Sequence, residues 1–469
     1  LKKYITVFAI LFTCSFILMG CSDDSEEKTN GEENIAEGTE NDDQQDNHES
    51  DNEDTVDNGT QDEEISGDDE KLQEEEKNQP DNTGKLIDTD IDSVYEDIVQ
   101  NELLNEDAME MENSNLDWNV TELASFSNKS ITFHKDKAFF TYYMGTYSIN
   151  MKDITYSEEI DVETDAQMVS YEDNLVFLQT DKGEVYLHFL DTETEKVIDT
   201  TKHDLKKQTD SISNTFLYGN KLIGITGLNG DIYIFDLASK SLENIISMEK
   251  VLGAKTDINT LGFDEGLLYM GNMGINSFLY ALDVDTGELA WELELGEEDI
   301  YAQVPTYPRE AVFMGDSMHI LLENKAYVEL DKNTGEVLNA AEFGVTAHLL
   351  HVTEENIIMA HENMNEENEY IVSLNNKTFE PNWAVRVDGE HHDYSAAVHD
   401  DYLYTSVLNR SLDSDGTDWY KIDIHTGEVL ATDTIEELQH QNAEGLFFEI
   451  SNERMFLSDG STLAITPIE

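Results

Sequence analysis

The chain has 469 residues with 102 acidic and 27 basic side chains, a formal charge of -75, 5 Pro and 2 Cys. Such a body repels nucleic-acid phosphates and anionic lipid headgroups, so no nucleic-acid partner is expected. The acidity is not confined to a tail: residues 22–85 carry 26 acidic and 4 basic groups, leaving 76 and 21 on residues 86–469.

The first element is an apolar run from Tyr4 to Leu18 behind Lys2 and Lys3. It is short for a membrane span and suits the core of a signal peptide. The run ends in Leu18-Met19-Gly20-Cys21 and turns sharply acidic. This resembles the lipobox of bacterial lipoproteins, which implies a signal peptide over 1–20 and Cys21 as the acylated mature N-terminus. Two or more acyl chains, at about 0.8 kcal/mol per buried CH₂, would hold the chain on a membrane. Cys14 falls in the removed part, so no thiol or disulfide is expected in the mature chain.

Residues 21–86 read as a linker. From Ser22 to Gly84 there is no aromatic residue, so burial cannot offset chain entropy, and disorder is expected. Like charges extend it into a tether. Residues 87–114 read as a short helical connector: Ile91, Val94, Tyr95, Ile98, Val99 and Leu103 recur at helical spacing behind Asp90 as a candidate N-cap. This helix either docks on the C-terminal domain or is presented to a partner groove.

From residue 115 the pattern changes to β. Leu279 to Gly296 reads as a hairpin around Asp285-Thr286-Gly287, with Trp291, Leu293 and Leu295 alternating against Glu292 and Glu294. The unit recurs, with its anchor residue at Asn150, Asp191, Asp236, Asp283, Asp331, Asn375, Asp423 and Thr466, at a mean step of about 45 residues. Each anchor has an upstream hairpin with a tight polar turn, from Lys135-Asp136 to Asn452-Glu453. Four strands per unit and eight units predict an all-β, eight-bladed β-propeller of four-stranded antiparallel blades over 115–469. The last unit lacks an outer strand. Residues near 117–125, containing Trp118, are predicted to supply it and so close the ring.

The repeat resembles the PQQ-like propeller repeat, A-x-D-x-x-T-G-x-x-x-W, matched in full by Ala281, Asp283, Thr286, Gly287 and Trp291. That family includes quinoprotein dehydrogenases and the propeller lipoprotein of the outer-membrane β-barrel assembly machine. The resemblance implies that these residues, with Trp383 and Trp118, lock blade to blade rather than catalyse. Quinoprotein dehydrogenases typically use adjacent cysteines, which this chain lacks, so neither enzyme activity nor a quinone cofactor is expected. The acidic composition, with 4 Arg against 23 Lys, and the long tether look like a salt- or alkali-adapted Gram-positive bacterium.

Candidate sites are few. Glu390-His391-His392-Asp393 is a compact set of metal-ligand types, and His134, His348, His351 and His399 fall on inner strands that line the channel. Solvated or packing histidines fit the same residues. Asp413-Ser-Asp415-Gly416-Thr-Asp418 resembles an oxygen-rich calcium loop without the distal Glu of an EF-hand. The longest rim loops are 297–310, 361–369 and 408–418. Tyr301, Tyr307 and Arg309 in the first are the contact candidates, because aromatic and Arg side chains dominate binding energies. No zincin, nucleophile-elbow, P-loop or dinucleotide motif occurs. The expectation is a lipid-anchored, extracytoplasmic, monomeric scaffold for another envelope or secreted protein. A small-ligand or ion sensor and a quinone-dependent dehydrogenase are the rival readings.

Overall fold

The computed structural model describes Leu86–Asp88, Leu104–Asn105, Ser114, Leu116, residues 118–122, and most of 131–468. The loop segments left out are 143–144, 158–159, 161–166, 182, 205–210, 228–229, 254–257, 273–277, 296–307, 323–325, 344–346, 363–367, 389–391, 410–415, 439–446 and 459–461. Cys21, the tether, His391, Tyr301 and Tyr307 lie outside the described residues. Among those described, no helix is long and apolar enough to cross a membrane.

The chain folds as an eight-bladed β-propeller. Blades 1 to 7 are the sheets at 131–156, 169–204, 212–246, 258–294, 308–342, 347–388 and 392–435, each strand pairing antiparallel with the next. Blade 8 combines three C-terminal strands, Phe447–Ser451, Arg454–Ser458 and Thr462–Pro467, with Asn119–Glu122. The register Asn119↔Ile465 to Glu122↔Thr462 is antiparallel, so the ring closes through the N-terminal segment.

Local chemistry explains the repeat. In seven units the anchor side chain caps its own turn. Asp283 Oδ1 accepts from the backbone N–H of Asp285 and Thr286, and Asp331, Asn375 and Asp423 repeat this. Asp191 and Asp236 accept from the N–H and hydroxyl of Thr194 and Ser239, and Asn150 from Lys152 N–H. Such Asx turns are why Asp and Asn dominate here. The residue four past the anchor has positive φ: Gly287, Gly335 and Gly427, but also Ile154, Glu195, Lys240 and Phe379. Each outer strand of blades 2 to 7 then bulges at the same offset, as between Ala281/Leu282 in blade 4.

The core is divided by seam. Eight clusters of buried apolar residues each join two neighbouring blades. Blade 4 places Tyr269, Leu279, Trp291 and Leu293 against Met318, Ile320 and Val328 of blade 5. The closure seam is built alike, with Ile131, Phe140 and Ile149 of blade 1 on Phe456, Leu463 and Ile465 of blade 8. Middle strands are covered on both faces, so they read as continuous apolar runs such as Leu268-Tyr269-Met270.

The segment expected to be a helical connector contributes strands at its described ends. Leu86–Asp88 adds in parallel to the outer strand of blade 5, and Leu104–Asn105 to that of blade 6. Ser114 N–H then donates to the Thr432 carbonyl at blade 7, 2.8 Å away, before the chain becomes the outer strand of blade 8. The N-terminal segment thus visits blades 5, 6, 7 and 8 in order. Outer strands leave N–H and C=O groups unpaired along one edge, which an extended segment satisfies and a docked helix does not. Leu104, placed at the end of the expected helix, is therefore extended; residues 89–103 lie outside the described residues.

Candidate functional site

The blade-locking residues come together at the turn face. Trp291 of blade 4 is buried and its Nε1–H donates 2.8 Å to the carbonyl of Lys332, one past the anchor of blade 5. Its ring covers Gly335, where an added Cβ would lie 2.7 Å from the indole. Trp383 of blade 6 repeats both contacts, donating 3.1 Å to the Ile424 carbonyl and covering Gly427. Asp283, Thr286 and Gly287 shape the turn of blade 4 by the Asx contacts above and a Glu288 N–H to Thr286 Oγ1 bond.

Other residue types take the same role. Asn339, eight past its anchor like Trp291, donates 3.0 Å to the Asn376 carbonyl of blade 6. Asp199, eight past its anchor, pairs with Lys240 in the turn of blade 3. A second position, opposite the anchor in the sheet, also reaches forward. Lys137 Nζ meets the Thr192 carbonyl at 2.9 Å and Glu195 at 2.5 Å. Lys221 reaches Asp285 at 2.8 Å, and Asn356 reaches the Ile424 carbonyl at 3.4 Å. Lys332 reaches backward, 2.5 Å from Asp264. A tryptophan search misses these residues; a search at fixed offsets from the anchor finds them.

Trp118 differs from its expected equivalence with Trp291. In blade 8 the anchor position falls on Pro467, one past the expected Thr466: it pairs with Arg454, the first residue of the second strand, and the next N–H bonds the upstream turn at Glu453. Trp291 and Trp383 pair opposite Ala281 and Ser373, two before their anchors, and Asn119 pairs opposite Ile465, two before Pro467. Asn119 therefore stands where blades 4 and 6 have tryptophan, and Val120 turns toward blade 7. Trp118 faces blade 7: its ring meets Trp419 edge-on at 6.1 Å, and its Nε1–H donates 3.3 Å to Asp433 Oδ2. Leu116 N–H shares that acceptor at 2.9 Å. No covalent turn links Thr466 to Asn119, so the register is set by these side-chain contacts instead of by turn spacing.

The histidines expected along the channel do not gather. His134 Nδ1 lies 2.6 Å from Ser170 Oγ, and burial lowers its pKa. His399 is 3.8 Å from Asp400. Burial also lowers the pKa of His351. Among the described residues no three His, Cys, Asp or Glu side chains are grouped to hold a metal ion. His392 and Asp393 begin the inner strand of blade 7, and Arg309 lies in the inner strand of blade 5. Asp413 and Asp415 lie outside the described residues, while Gly416 precedes the strand holding Asp418.

The buried polar network that sequence reading missed is in blade 5. His319 is fully buried, its Nδ1 is 2.5 Å from the Tyr327 hydroxyl, and that hydroxyl donates to Asn376 Oδ1 at 3.3 Å. Burial pushes His319 down to about 4. The network spans the seam to blade 6 and adds to the Asn339 contact.

The three long rim loops share one side. The strand ends at Glu294 and Pro308, at Glu362 and Asn368, and at Asn409 and Thr417 all open on the face opposite the anchor turns. They belong to the consecutive blades 4/5, 6 and 7.

No family model and no curated protein matches this sequence. Solved structures do. BamB from Moraxella catarrhalis is 15% identical with a TM-score of 0.51, over 74% of this chain and 100% of that one. Sqt1 from Saccharomyces cerevisiae is 9% identical with a TM-score of 0.54, over 76% and 100%. The quinohemoprotein alcohol dehydrogenase ADHIIG from Pseudomonas putida HK5 is 10% identical with a TM-score of 0.51, over 76% and 78%. At such identities these likenesses establish the propeller fold, which hosts both binding proteins and enzymes.

Proposed function

We propose that this chain is a lipid-anchored, extracytoplasmic propeller serving as a scaffold for another envelope or secreted protein, without catalysis of its own. The observation that carries this reading is the division between the two faces. One face is tied across its seams by turn-to-blade hydrogen bonds. On the other face the connections after Glu294, Glu362 and Asn409 open from the consecutive blades 4/5, 6 and 7. Variable loops on a rigid ring are the usual place for recognition. The Cys21 anchor and acidic tether would lift the propeller off the membrane.

The test is capture from detergent-solubilised membranes with the full chain, tether included. A specific protein should be retained. It should be lost when residues 363–367 and 410–416, which lie between the strands, are replaced by Gly-Ser links that leave the melting temperature unchanged. Retention that is indifferent to both loops would overturn the reading. Cys21→Ser should move the chain from the membrane to the soluble fraction; continued membrane association would remove the anchor. A spectral change on adding pyrroloquinoline quinone with calcium would favour the dehydrogenase instead.

A further inference from the structure

The N-terminal segment meets the outer strands at a fixed distance from their bulges. The bulged residue is Leu338 in blade 5, Asn382 in blade 6 and Leu430 in blade 7. Two residues on, Ala340 pairs with Leu86 and Ala384 pairs with Leu104, both in parallel. At the same offset in blade 7, Ser114 N–H and hydroxyl donate to the Thr432 carbonyl. One register thus serves three blades, and a leucine opens both strand pairings.

Blade 2 offers the same edge, without an occupant among the described residues. Its outer strand, Lys196–Asp204, is the longest of the described outer strands and pairs on one side only. The bulged residue is Ile198, 59% exposed beside the exposed Val197, which puts Thr200 at the docking position. Thr200 N–H turns back onto Asp199 Oδ1 at 2.9 Å, as Ala340 N–H does onto Asn339 Oδ1 in the occupied blade 5. The local backbone therefore matches an edge that already holds a strand.

Charge selects the segment. In Leu86-Ile87-Asp88 the acid registers opposite Glu342, four past the bulge, setting like against like. On the open edges of blades 2, 3 and 4 that position is Lys202, Ser247 and Glu294. Lys202 is half exposed, paired with Glu184. A lysine blunts an open edge against indiscriminate pairing, and an acid in register removes that barrier. The sector also repels an acidic segment least: residues 131–257 carry 22 acidic and 12 basic groups, against 42 and 8 on residues 258–469.

We propose that the outer edge of blade 2 binds an extended segment of another protein in parallel, with an aliphatic residue opposite Thr200 and an acidic one opposite Lys202. Main-chain hydrogen bonds along Lys196–Asp204 hold it, and the acid fixes register and choice. This edge is a separate surface from the connections of blades 4/5 to 7, so it stands or falls independently of membrane capture.

The test is fluorescence anisotropy of the full chain with fluorescein-Gly-Ser-Leu-Ile-Asp-Thr-Val and with the same peptide carrying Lys for Asp. Salt of about 0.15 M screens the body's charge beyond about 8 Å. The Asp peptide should bind at least about threefold more tightly, the scale of exchanging an unlike for a like cross-strand pair. Lys202→Glu should reverse that preference, which a change in folding alone would not do. Hydrogen exchange with the Asp peptide should slow amides within Lys196–Asp204. Should Lys202→Glu fail to fold, Lys202→Gln decides, by abolishing the preference. No binding of either peptide to the folded chain, a preference unmoved by the Lys202 variants, or protection confined to another edge would overturn the site. So would a doubled mass in sedimentation that Lys202→Glu abolishes, which would give the edge to a second copy.

Discussion

His319 shows what one buried side chain does to the molecule's response to acid. It is held neutral in blade 5 against Tyr327, with its pKa lowered by burial to about 4. In the unfolded chain it titrates near 6.5. Between those values the unfolded state binds the extra proton, so stability falls as pH drops through the window and is unaffected above it. The expected loss is up to about 3 kcal/mol from this group. Denaturant melts of wild type and His319→Phe from pH 7 to pH 4 measure it: the variant should show the shallower pH dependence. Parallel slopes would mean that the ring is protonated or solvated in the folded state. Nothing in the sequence marks His319, because a lone histidine in an apolar strand reads alike whether its second face is covered or not.

At the scale of the element, the anchor turn is the part that carries the blade-to-blade contact. Gly335 needs positive φ and also lies under Trp291. Gly335→Ala should therefore destabilise the ring by about 1–3 kcal/mol, from left-handed strain and overpacking. Trp291→Ala should cost about 3–5 kcal/mol. The double variant should cost less than the sum, because removing the indole removes the clash. Urea melts of the four proteins form the cycle, and strict additivity would show that the two residues do not touch. The sequence pattern exposed Asp283, Thr286, Gly287 and Trp291 because one unit keeps all of them. The positions of Asn339, Lys137 and Asn356 follow from fixed offsets to the anchor, but the bonds they make were not legible, since these depend on which backbone carbonyl of the next blade comes within reach.

At the scale of the whole molecule, the described parts of the N-terminal segment meet blades 5, 6, 7 and 8 of an acidic ring. Leu86–Asp88 and Leu104–Asn105 pair the outer edges of blades 5 and 6, and Asn119–Glu122 supplies the last strand of blade 8. Self-repulsion of the acidic body is screened within about 3 Å at 1 M salt against about 10 Å at 0.1 M. The melting temperature of the full chain should therefore rise on going from low to molar sodium chloride; a flat or falling curve would show that ion pairs such as Lys332–Asp264 outweigh the repulsion.

By itself the sequence determined the class of fold, the number of blades and the use of an N-terminal strand to close the ring. Those features rest on period, alternation and turn chemistry, which are local and repeat eight times. Only the tertiary structure decided that Asn119 rather than Trp118 occupies the locking position, that the connector's described ends pair as strands, and that Arg454 bonds the Lys152 carbonyl across the closure. Each depends on register or on an edge left unpaired between segments more than 200 residues apart, where no turn transmits spacing along the chain.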